Sequence, residues 1–386
     1  MKQEILSYLY TIKDDIYTIT RYLYDNPEES YNEKKACSFL MEILRRNNFK
    51  VTGNFLDIPT AFCSEYGSGY PKLCFLCEYD ALLPEGHING HNLGAAISTA
   101  AALSLSKIIG KVSGTIVLLG CPGEYIGGAK VTMAKQGVFN DIDIAMMVHP
   151  DVKTYESGTS KAILPLSIKF TGVDGVTYLR SNCFSPVDAG LFVFNGINMI
   201  LKGCGDKVQI DVMVNSGGLT PSLPSDVSEM KIYIRADTLV KSESIKEKII
   251  KLAETASFIT NFPFESKVYE LPDTEMLTNS TLSRIFSHNL KELGIIDCCG
   301  PKEDEAGLSM GSVSQVIPSI HPYIRITENA DVDYGTPEFA AETLTPFAQD
   351  TALKAAGALA ASAFDLIEKE SILTEIKEEF YSQKRK

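Results

Sequence analysis

Three short polar clusters contain the residue types that could carry out chemistry in this chain. They are EYDALLPEGHINGHNLGAA (78–96), GCPGEYIGG (120–128) and IDIAMMVHP (142–150). In the first cluster Asn89 lies between His87 and His91, the second contains Glu124, and the third ends close to His149. Imidazole nitrogens bind metals or move protons, and a partly desolvated glutamate is a suitable general base. The pattern indicates a metal site or an acid–base site, although Asn89 is a weak ligand at its position.

Apolar runs between and before these clusters predict the elements that position them. Strand-like runs occur near residues 50, 73 and 115, and IDIAMMVHP predicts a further strand that ends at His149. Apolar spacing predicts helices over about 2–25, 31–47, 92–109 and 128–137. Alternating strands and helices predict a doubly wound α/β sheet, in which ligands bind at the carboxyl ends of the strands. We therefore expect the three clusters to meet at that edge.

The pattern changes after about residue 160. Strands are predicted at ILPLSIKFTG, KVQIDVMVNSGG and SEMKIYIRADT, and helices at about 186–202 and 241–259. This order is typical of a compact α+β unit. The simplest architecture is an α/β catalytic domain over 1–160 and 272–386, interrupted by a smaller inserted α+β domain over 161–271.

Composition excludes several classes of function. The chain of 386 residues has a net charge of −13, so it has no basic excess to neutralise nucleic-acid phosphates. Acidic residues interrupt the N-terminal apolar pattern, and we expect neither a signal peptide nor a run of about 20 apolar residues that could span a bilayer. Nine cysteines without an export signal predict reduced thiols and a cytoplasmic location.

Glu124 alone has two interpretations. It could be a general base at a strand end, or it could be a charge that stabilises the start of the helix that follows GEYIGG. Residue types and spacing do not decide between these two roles.

Longer motifs resemble a known family. They are RYLYDNPEESYNEKKA, EYDALLPEGHINGHNLGAA, GTIVLLGCPGEYIGGAK, VNSGGLTPSLPSDVSEMKIYIRADT, SMGSVSQVIPSIHPY and TPEFA. In this order, and nearly from end to end, the sequence resembles the dimetal aminoacylase and carboxypeptidase family of amidohydrolases, in the branch of aminobenzoyl-glutamate and hippurate hydrolases. The resemblance implies the fold and the ancestry, and it does not by itself establish activity.

In that family two divalent ions are bound by a cysteine and a histidine of the first loop, a glutamate of the second loop, a histidine after the third strand and a late histidine. The resemblance places His91 and His149 at two ligand positions and Glu124 at the position of the general base. The other ligand positions differ: Asn89 replaces the cysteine, Tyr125 the metal-binding glutamate and Gly335 the late histidine.

These replacements are poor ligands. Asn89 offers a neutral oxygen, Tyr125 ionises only near pH about 10 in its ordinary state, and Gly335 has no side chain. His91 and His149 could hold at most one weakly bound divalent ion, zinc or manganese, and we expect no dimetal centre. Without the pair, ordinary metal-assisted activation of water is not expected.

Three functions remain open. The preferred one is an acid–base enzyme that acts on N-acyl amino acid or dipeptide-like amides, by hydrolysis, acyl transfer, cyclisation or elimination. In it Glu124 moves the proton, while Tyr125 and the two histidines polarise the substrate or donate hydrogen bonds. The second is a binding or scaffold protein without catalysis. The third is a one-metal hydrolase with Asn89 or Asp80 as an unusual ligand.

The resemblance also implies substrate contacts and a partner. Arg235 matches an arginine that in the family helps to hold a substrate carboxylate, although a structural ion pair is the alternative; Asn89 and Asp80 are the other predicted substrate contacts. A family histidine that polarises the substrate falls at or near Val176 and is missing. The inserted domain is expected to form a homodimer, with the strand ILPLSIKFTG as an edge that needs cover.

Overall fold

The chain divides into two compact units. The computed structural model describes residues 1–172, 184–218, 220, 223 and 225–385. Unit 1 comprises 1–159, 277–303 and 312–386, and unit 2 comprises 160–276 and 304–311. The predicted inserted domain, 161–271, coincides with most of unit 2. The short segment 304–311 also belongs to unit 2, which the sequence did not indicate.

The strands are, in chain order, β1 (Lys50–Gly53), β2 (Phe62–Ser68), β3 (Lys72–Cys77), β4 (Gly114–Gly120), β5 (Ile144–Met146), β6 (His149–Asp151), β7 (Tyr155–Thr171), β8 (Gln209–Ser216), β9 (Val227–Ala236), β10 (Phe264–Val268), β11 (Cys299–Gly307), β12 (Ser319–Ile320) and β13 (Tyr323–Arg325). The helices are α1 (Lys2–Thr11), α2 (Lys13–Asp25), α3 (Lys34–Arg46), α4 (His91–Ile109), α5 (Ala129–Lys135), α6 (Pro186–Lys202), α7 (Leu239–Thr260), α8 (Ser280–Glu292), α9 (Met310–Ser314), α10 (Pro337–Glu342), α11 (Pro346–Glu368) and α12 (Glu370–Gln383). Elements β7, β11 and α9 each contain the point where one unit ends and the other begins.

The main sheet of unit 1 has the strand order β1-β2-β4-β3-β5-β12. Strands β4, β3, β5 and β12 run parallel to one another, while β1 and β2 pair antiparallel at one side. The chain leaves β3 for β4 on one side and then returns to β5 on the other side of β3. This reversal is a topological switch point, where the loops at the carboxyl ends of the strands separate and leave room for a ligand. The α/β fold class is confirmed.

Small residues let the helices of unit 1 pack closely. Helix α4 packs against α1, α2 and α11, and both α4 and α11 are rich in buried alanine. By length and composition α4 could span a membrane, contrary to the expectation from the sequence, but 94% of its apolar window is buried inside the protein. Alanines and leucines are buried on every side of α4. Its apolar composition is therefore that of a core helix.

Unit 2 contains a sheet in the order β10-β7-β9-β8, all antiparallel, with a core formed together with α6 and α7. Strand β9 alternates buried and half-buried residues, as expected for a strand with one face in the core. The strand ILPLSIKFTG lies in β7, which pairs with β9 on one side and β10 on the other. Its prediction as an edge is wrong, because β10 covers it; the strand at the end of this sheet is β8.

Several element boundaries differ from prediction. The expected helix over 2–25 is two helices separated at Ile12, whose N–H is shared between the carbonyls of Tyr8 and Leu9. The expected strand in IDIAMMVHP is two short strands, β5 and β6, that pair with different partners. Strand β2 was not predicted, since its sequence FCSEYGS carries only a short alternation of apolar and polar residues.

Candidate active site

The carboxyl ends of the parallel strands in unit 1 bring four chemically active residues together. Glu78 follows β3 directly, Glu124 lies in the loop after β4, and His149 follows β5 as the first residue of β6. His321 directly follows β12. The three predicted polar clusters therefore meet at one edge of the sheet, as parallel strand order requires.

Two glycines allow the loops to reach this position. Gly90 precedes α4 with φ +76°, and a Cβ there would lie 2.7 Å from Pro150. Gly123 precedes Glu124 with φ +85°, and a Cβ there would lie 2.4 Å from the ring of Tyr31. At these positions any other residue would have a strained backbone, and its Cβ would collide with Pro150 or Tyr31. The two glycines therefore allow the turns that place His91 and Glu124 in the site.

The connection between α2 and α3 supports both loops. The hydroxyl of Ser30 donates to Asp80 Oδ2 at 2.7 Å. The carboxylate of Glu33 accepts the N–H of Gly123 at 2.9 Å. Residues 26–33 thus contact the loop after β3 and the loop after β4, and they fix the position of one loop relative to the other.

Asp80 orients His91. The Nδ1–H of His91 donates to Asp80 Oδ1 at 2.8 Å, which leaves Nε2 directed toward Glu78 Oε2 at 3.6 Å. Burial lowers the pKa of His91, but the charge of Asp80 and this hydrogen bond outweigh it and raise the pKa to about 9. Asp80 Oδ2 also accepts the N–H of Tyr125 at 3.2 Å. The carboxylate is fully buried and engaged by internal partners, so the structure gives it a positioning role.

Lys130 in the first turn of α5 connects the two glutamates. Its ammonium lies 2.5 Å from Glu78 Oε1 and 2.6 Å from Glu124 Oε1, and the side chain has no exposed surface. Burial raises the pKa of Glu124, and the attraction of Lys130 only partly offsets this effect. For Glu78 burial is outweighed by the charges of Lys130 and His91, so its pKa lies below the ordinary range. Glu78 is ionised, and Glu124 is the carboxyl that holds a proton more tightly than usual.

His149 has the opposite character from His91. Its Nδ1–H donates to the carbonyl of Pro150 at 2.8 Å, which makes Nε2 the free nitrogen in the neutral ring. Burial lowers its pKa, and the nearby His91 lowers it further. The two rings meet edge to face with centroids 5.5 Å apart. The site therefore pairs a cationic histidine with a neutral one.

Aromatic rings line the side of the site around His149. The ring of His321 lies 5.4 Å from that of His149, and the rings of Tyr323 and Tyr334 lie 5.9 Å and 6.1 Å from it. Tyr125 contacts His91 on the opposite side, with centroids 5.4 Å apart. Such rings offer flat apolar surface together with hydroxyl donors, which suits a small organic substrate.

Among the described residues, the donor atoms fit a single metal ion and not a pair. Glu78, His91 and His149 each offer one ligand atom, and these atoms lie within 4.8 Å of one another, so they could hold a single ion. Within the part of the chain that the structure describes, no second group of three such donors lies close together. Burial, with the charge of Asp80, raises the pKa of Tyr125 well above its ordinary value, so this phenol stays protonated and is a poor ligand.

The other predicted residues lie as follows. Asn89 is half-buried in the turn before His91. The Tyr125 hydroxyl is buried. His87 lies apart from the site, since its Nε2 contacts the carbonyl of Leu23 at 3.1 Å. Gly335 contributes no side chain.

Two predicted positions lie outside unit 1 or outside the described residues. Arg235 lies in β9 of unit 2, where its Nε donates to Asp211 Oδ2 of β8 at 3.0 Å. This ion pair matches the structural alternative, while the contact with a substrate carboxylate stays a prediction. Val176 lies outside the described residues.

The sequence analysis missed three residues of the site. Glu78 and Lys130 were not assigned a role. Glu78 follows a strand and Lys130 lies in a short helix, and neither pattern shows that a charged side chain points into the protein. His321 did carry a signal, since it follows a short apolar run in SIHPY just as His149 does. A histidine at the carboxyl end of a buried strand is the pattern that would have found it.

Comparison with known proteins places this site in context. A scan against models of protein families finds no match. The Xaa-Arg dipeptidase of Homo sapiens is 28% identical over 392 aligned positions, which cover 94% of this chain and 88% of the dipeptidase. A subunit of the p-aminobenzoyl-glutamate hydrolase of Escherichia coli (strain K12) is 29% identical over 294 positions, which cover 70% of this chain and 61% of that protein.

A solved structure shows the same fold. A dinuclear metal binding peptidase of the M20 family from Bacillus subtilis superposes with a TM-score of 0.63, at 17% identity, over 89% of this chain and 98% of its own. Together the relatives confirm the resemblance of this sequence to the dimetal aminoacylase and carboxypeptidase family. The relative from Bacillus subtilis is a dinuclear metal binding peptidase, whereas the described residues of this chain bring one group of three possible ligands together.

Proposed function

We propose that this chain is an amidohydrolase-like enzyme that acts on small N-acyl amino acid or dipeptide-like amides by acid–base chemistry, without a dimetal centre. The peptidases and hydrolases among its relatives support the amide substrate class. The observation that carries the acid–base role is the position of Glu124. Its carboxyl is held by Lys130 at 2.6 Å, its side chain is 11% exposed, and its charge acts on His91 in the same site.

The proposed reaction assigns each group a step. Glu124 takes a proton from the attacking water and later delivers it to the leaving amine. The cationic His91 and the hydroxyl of Tyr125 donate hydrogen bonds to the oxygen that becomes negative in the tetrahedral intermediate. His149, neutral at Nε2, accepts a hydrogen bond from the water or from the amide N–H. The amide bond breaks and a carboxylic acid and an amine leave, so atoms and protons balance.

A one-metal hydrolase is the second candidate, and one observation favours it. Glu78, His91 and His149 present three donors within 4.8 Å of one another, which is the number of protein ligands common in catalytic zinc sites. If an ion were bound there, these three residues would hold it, and it would supply polarisation of the amide carbonyl. Glu124 would remain the group that moves the proton.

The test is turnover by the full chain. Dipeptides with C-terminal arginine, p-aminobenzoyl-glutamate and simple N-acyl amino acids are incubated with wild-type protein, with Glu124→Gln and with Glu42→Gln. Glu42 lies on the exposed face of α3 and is the matched control. We expect loss of turnover by a factor of about 100 or more in Glu124→Gln and none in the control, as for removal of a general base. Ligand binding without turnover in the wild type would favour the scaffold function instead.

A further inference from the structure

Lys130 is a fully buried lysine with two carboxylate partners. Its ammonium contacts Glu78 Oε1 at 2.5 Å and Glu124 Oε1 at 2.6 Å. Moving an ammonium from water into the interior costs free energy unless ion pairs compensate for the lost hydration. Both compensating groups come from the loops that follow neighbouring strands, β3 and β4. Lys130 is thus the cation that joins these two loops.

The charges of Glu78, Asp80, His91, Glu124 and Lys130 largely balance one another. The carboxylate of Asp80 pairs with Nδ1 of His91, and Lys130 pairs with the two remaining carboxylates, Glu78 and Glu124. A divalent ion in a metalloenzyme does the same work, because it neutralises and gathers buried carboxylates. Here a covalently attached cation already occupies one oxygen of Glu78.

We propose that the Lys130 ammonium is the resident counter-charge of the site, and that it holds Glu78 and Glu124 together in place of a divalent ion. The inference rests on the proposed metal-free function and names the residue that makes it possible. It also implies that Lys130 weakens binding of any ion at Glu78, His91 and His149. The ammonium competes for Glu78, and its positive charge repels a cation bound to the same carboxylate.

Zinc binding by full-length protein tests this inference without any assay of activity. Wild type, Lys130→Met and Lys130→Arg are freed of metal by chelator, desalted and titrated calorimetrically with zinc chloride. Metal content is then measured by mass spectrometry. We expect Lys130→Met, which keeps the length of the side chain but not its charge, to bind one zinc at least tenfold more tightly than wild type. Lys130→Arg keeps the charge and should behave like wild type.

A control and a second variant keep the test decisive. Lys354→Met removes a lysine of α11 that pairs with Asp350, and it should leave zinc affinity unchanged. Because Lys130→Met leaves two buried carboxylates without their cation, it could fail to fold. Glu124→Gln combined with Lys130→Met removes one charge of each sign and keeps Glu78, His91 and His149. This double variant should also bind zinc at least tenfold more tightly than wild type.

The outcomes separate clearly. Tighter zinc binding by Lys130→Met or by the double variant, or recovery of folded Lys130→Met on addition of zinc, supports the role of Lys130. Equal zinc affinity in wild type and the folded variants overturns it. Neither result depends on whether Glu124 catalyses hydrolysis, so failure of this inference and failure of the proposed function are distinguishable.

Discussion

Nδ1 of His91 and Oδ1 of Asp80 lie 2.8 Å apart, and this contact determines the direction in which the His91 ring presents its second nitrogen. The contact joins the start of α4 to the loop after β3, and it accounts for the cationic state of His91. A carboxylate at Nδ1 fixes the ring so that Nε2 faces the site, where it can donate a hydrogen bond when protonated or bind a metal ion when neutral.

Replacing Asp80 with asparagine should weaken both folding and activity. The new side chain would direct an amide N–H at Ser30 or at the N–H of Tyr125 in place of an acceptor. We expect a loss of about 1–3 kcal/mol in the free energy of unfolding and a fall of about 10- to 100-fold in turnover. Thermal unfolding and steady-state rates measure these effects, with Asp331→Asn on an exposed loop as the control. Unchanged turnover in folded Asp80→Asn would contradict the positioning role.

Protein purified without chelator should contain far less than two metal ions per chain. The ligand positions that would bind a second ion are occupied by Asn89, Tyr125 and Gly335, which offer no anionic donor at neutral pH. Mass spectrometry gives the metal content, and treatment with EDTA should leave turnover and melting temperature unchanged. Two equivalents of zinc or manganese, or loss of activity on chelation, would show that other residues supply the ligands.

Unit 2 should mediate a homodimer. Strand β8 ends its sheet, and Met213 and Val214 on it are 53% and 56% exposed. Helix α6 exposes further apolar side chains, with Met199 at 67%. Unpaired edges and exposed apolar residues of this kind favour association. Light scattering at micromolar concentration should give twice the mass of the chain.

Charge placed on that surface should dissociate the dimer. Met213→Asp is expected to raise the dissociation constant at least tenfold, because an exposed carboxylate would be buried on association. Val240→Asp changes an equally apolar but separate residue of unit 2, which is 81% exposed, and serves as the control. A wild-type monomer at micromolar concentration would rule out the dimer.

Arg235→Lys should distinguish two roles of Arg235. If the guanidinium holds a substrate carboxylate by two parallel hydrogen bonds, lysine should raise KM at least tenfold without a change in melting temperature. If Arg235 only pairs with Asp211 in the sheet, Arg235→Lys and Asp211→Asn should lower the melting temperature together and leave KM unchanged. The two variants measured side by side decide between these outcomes.

Glu33 should make stability depend on pH. Burial raises its pKa to about 7 from an ordinary value of 4.5, despite hydrogen bonds from backbone N–H groups and with an added repulsion from Asp80. The folded state therefore holds this proton more tightly than the unfolded chain. Its contribution to stability is complete below about pH 4.5 and is lost as the pH rises through about 7.

Glu33→Gln removes this dependence and keeps an oxygen for the N–H of Gly123. Relative to wild type, the variant should gain up to about 3 kcal/mol in the free energy of unfolding at pH 8 and nothing near pH 4.5. Urea denaturation at the two pH values measures the difference. A gain that is equal at both would assign the effect to packing and not to the charge of Glu33.

Sequence patterns predicted the site in outline because strand ends are local features. The runs before Glu78, Glu124 and His149 are apolar and short, and the polar residues after them must lie at one edge of a parallel sheet. His321 carried the same kind of signal as His149, but a weaker one, because the strand before it, Ser319–Ile320, has only two residues. The pairing of β12 with β5, which is far away in the sequence, brings His321 to the edge of the sheet where His149 lies.

Other features depend on contacts between residues far apart in the sequence, which a local sequence pattern does not show. Lys130 belongs to a short helix and would be expected to face solvent, yet two carboxylates from other loops draw it inward. The strand ILPLSIKFTG has the composition of an edge that needs cover, and only the position of β10 shows that it is already covered. Strand order and buried ion pairs are set by distant segments, so they could not be predicted from either segment alone.

The connection between α2 and α3 links the site to a segment that lies far from it in the sequence. Ser30 and Glu33 are synthesised long before the loops they hold, and each supplies an acceptor or donor that the later loop needs. The position of Glu124 thus depends on Gly123, whose N–H is held by a carboxylate 90 residues earlier in the chain.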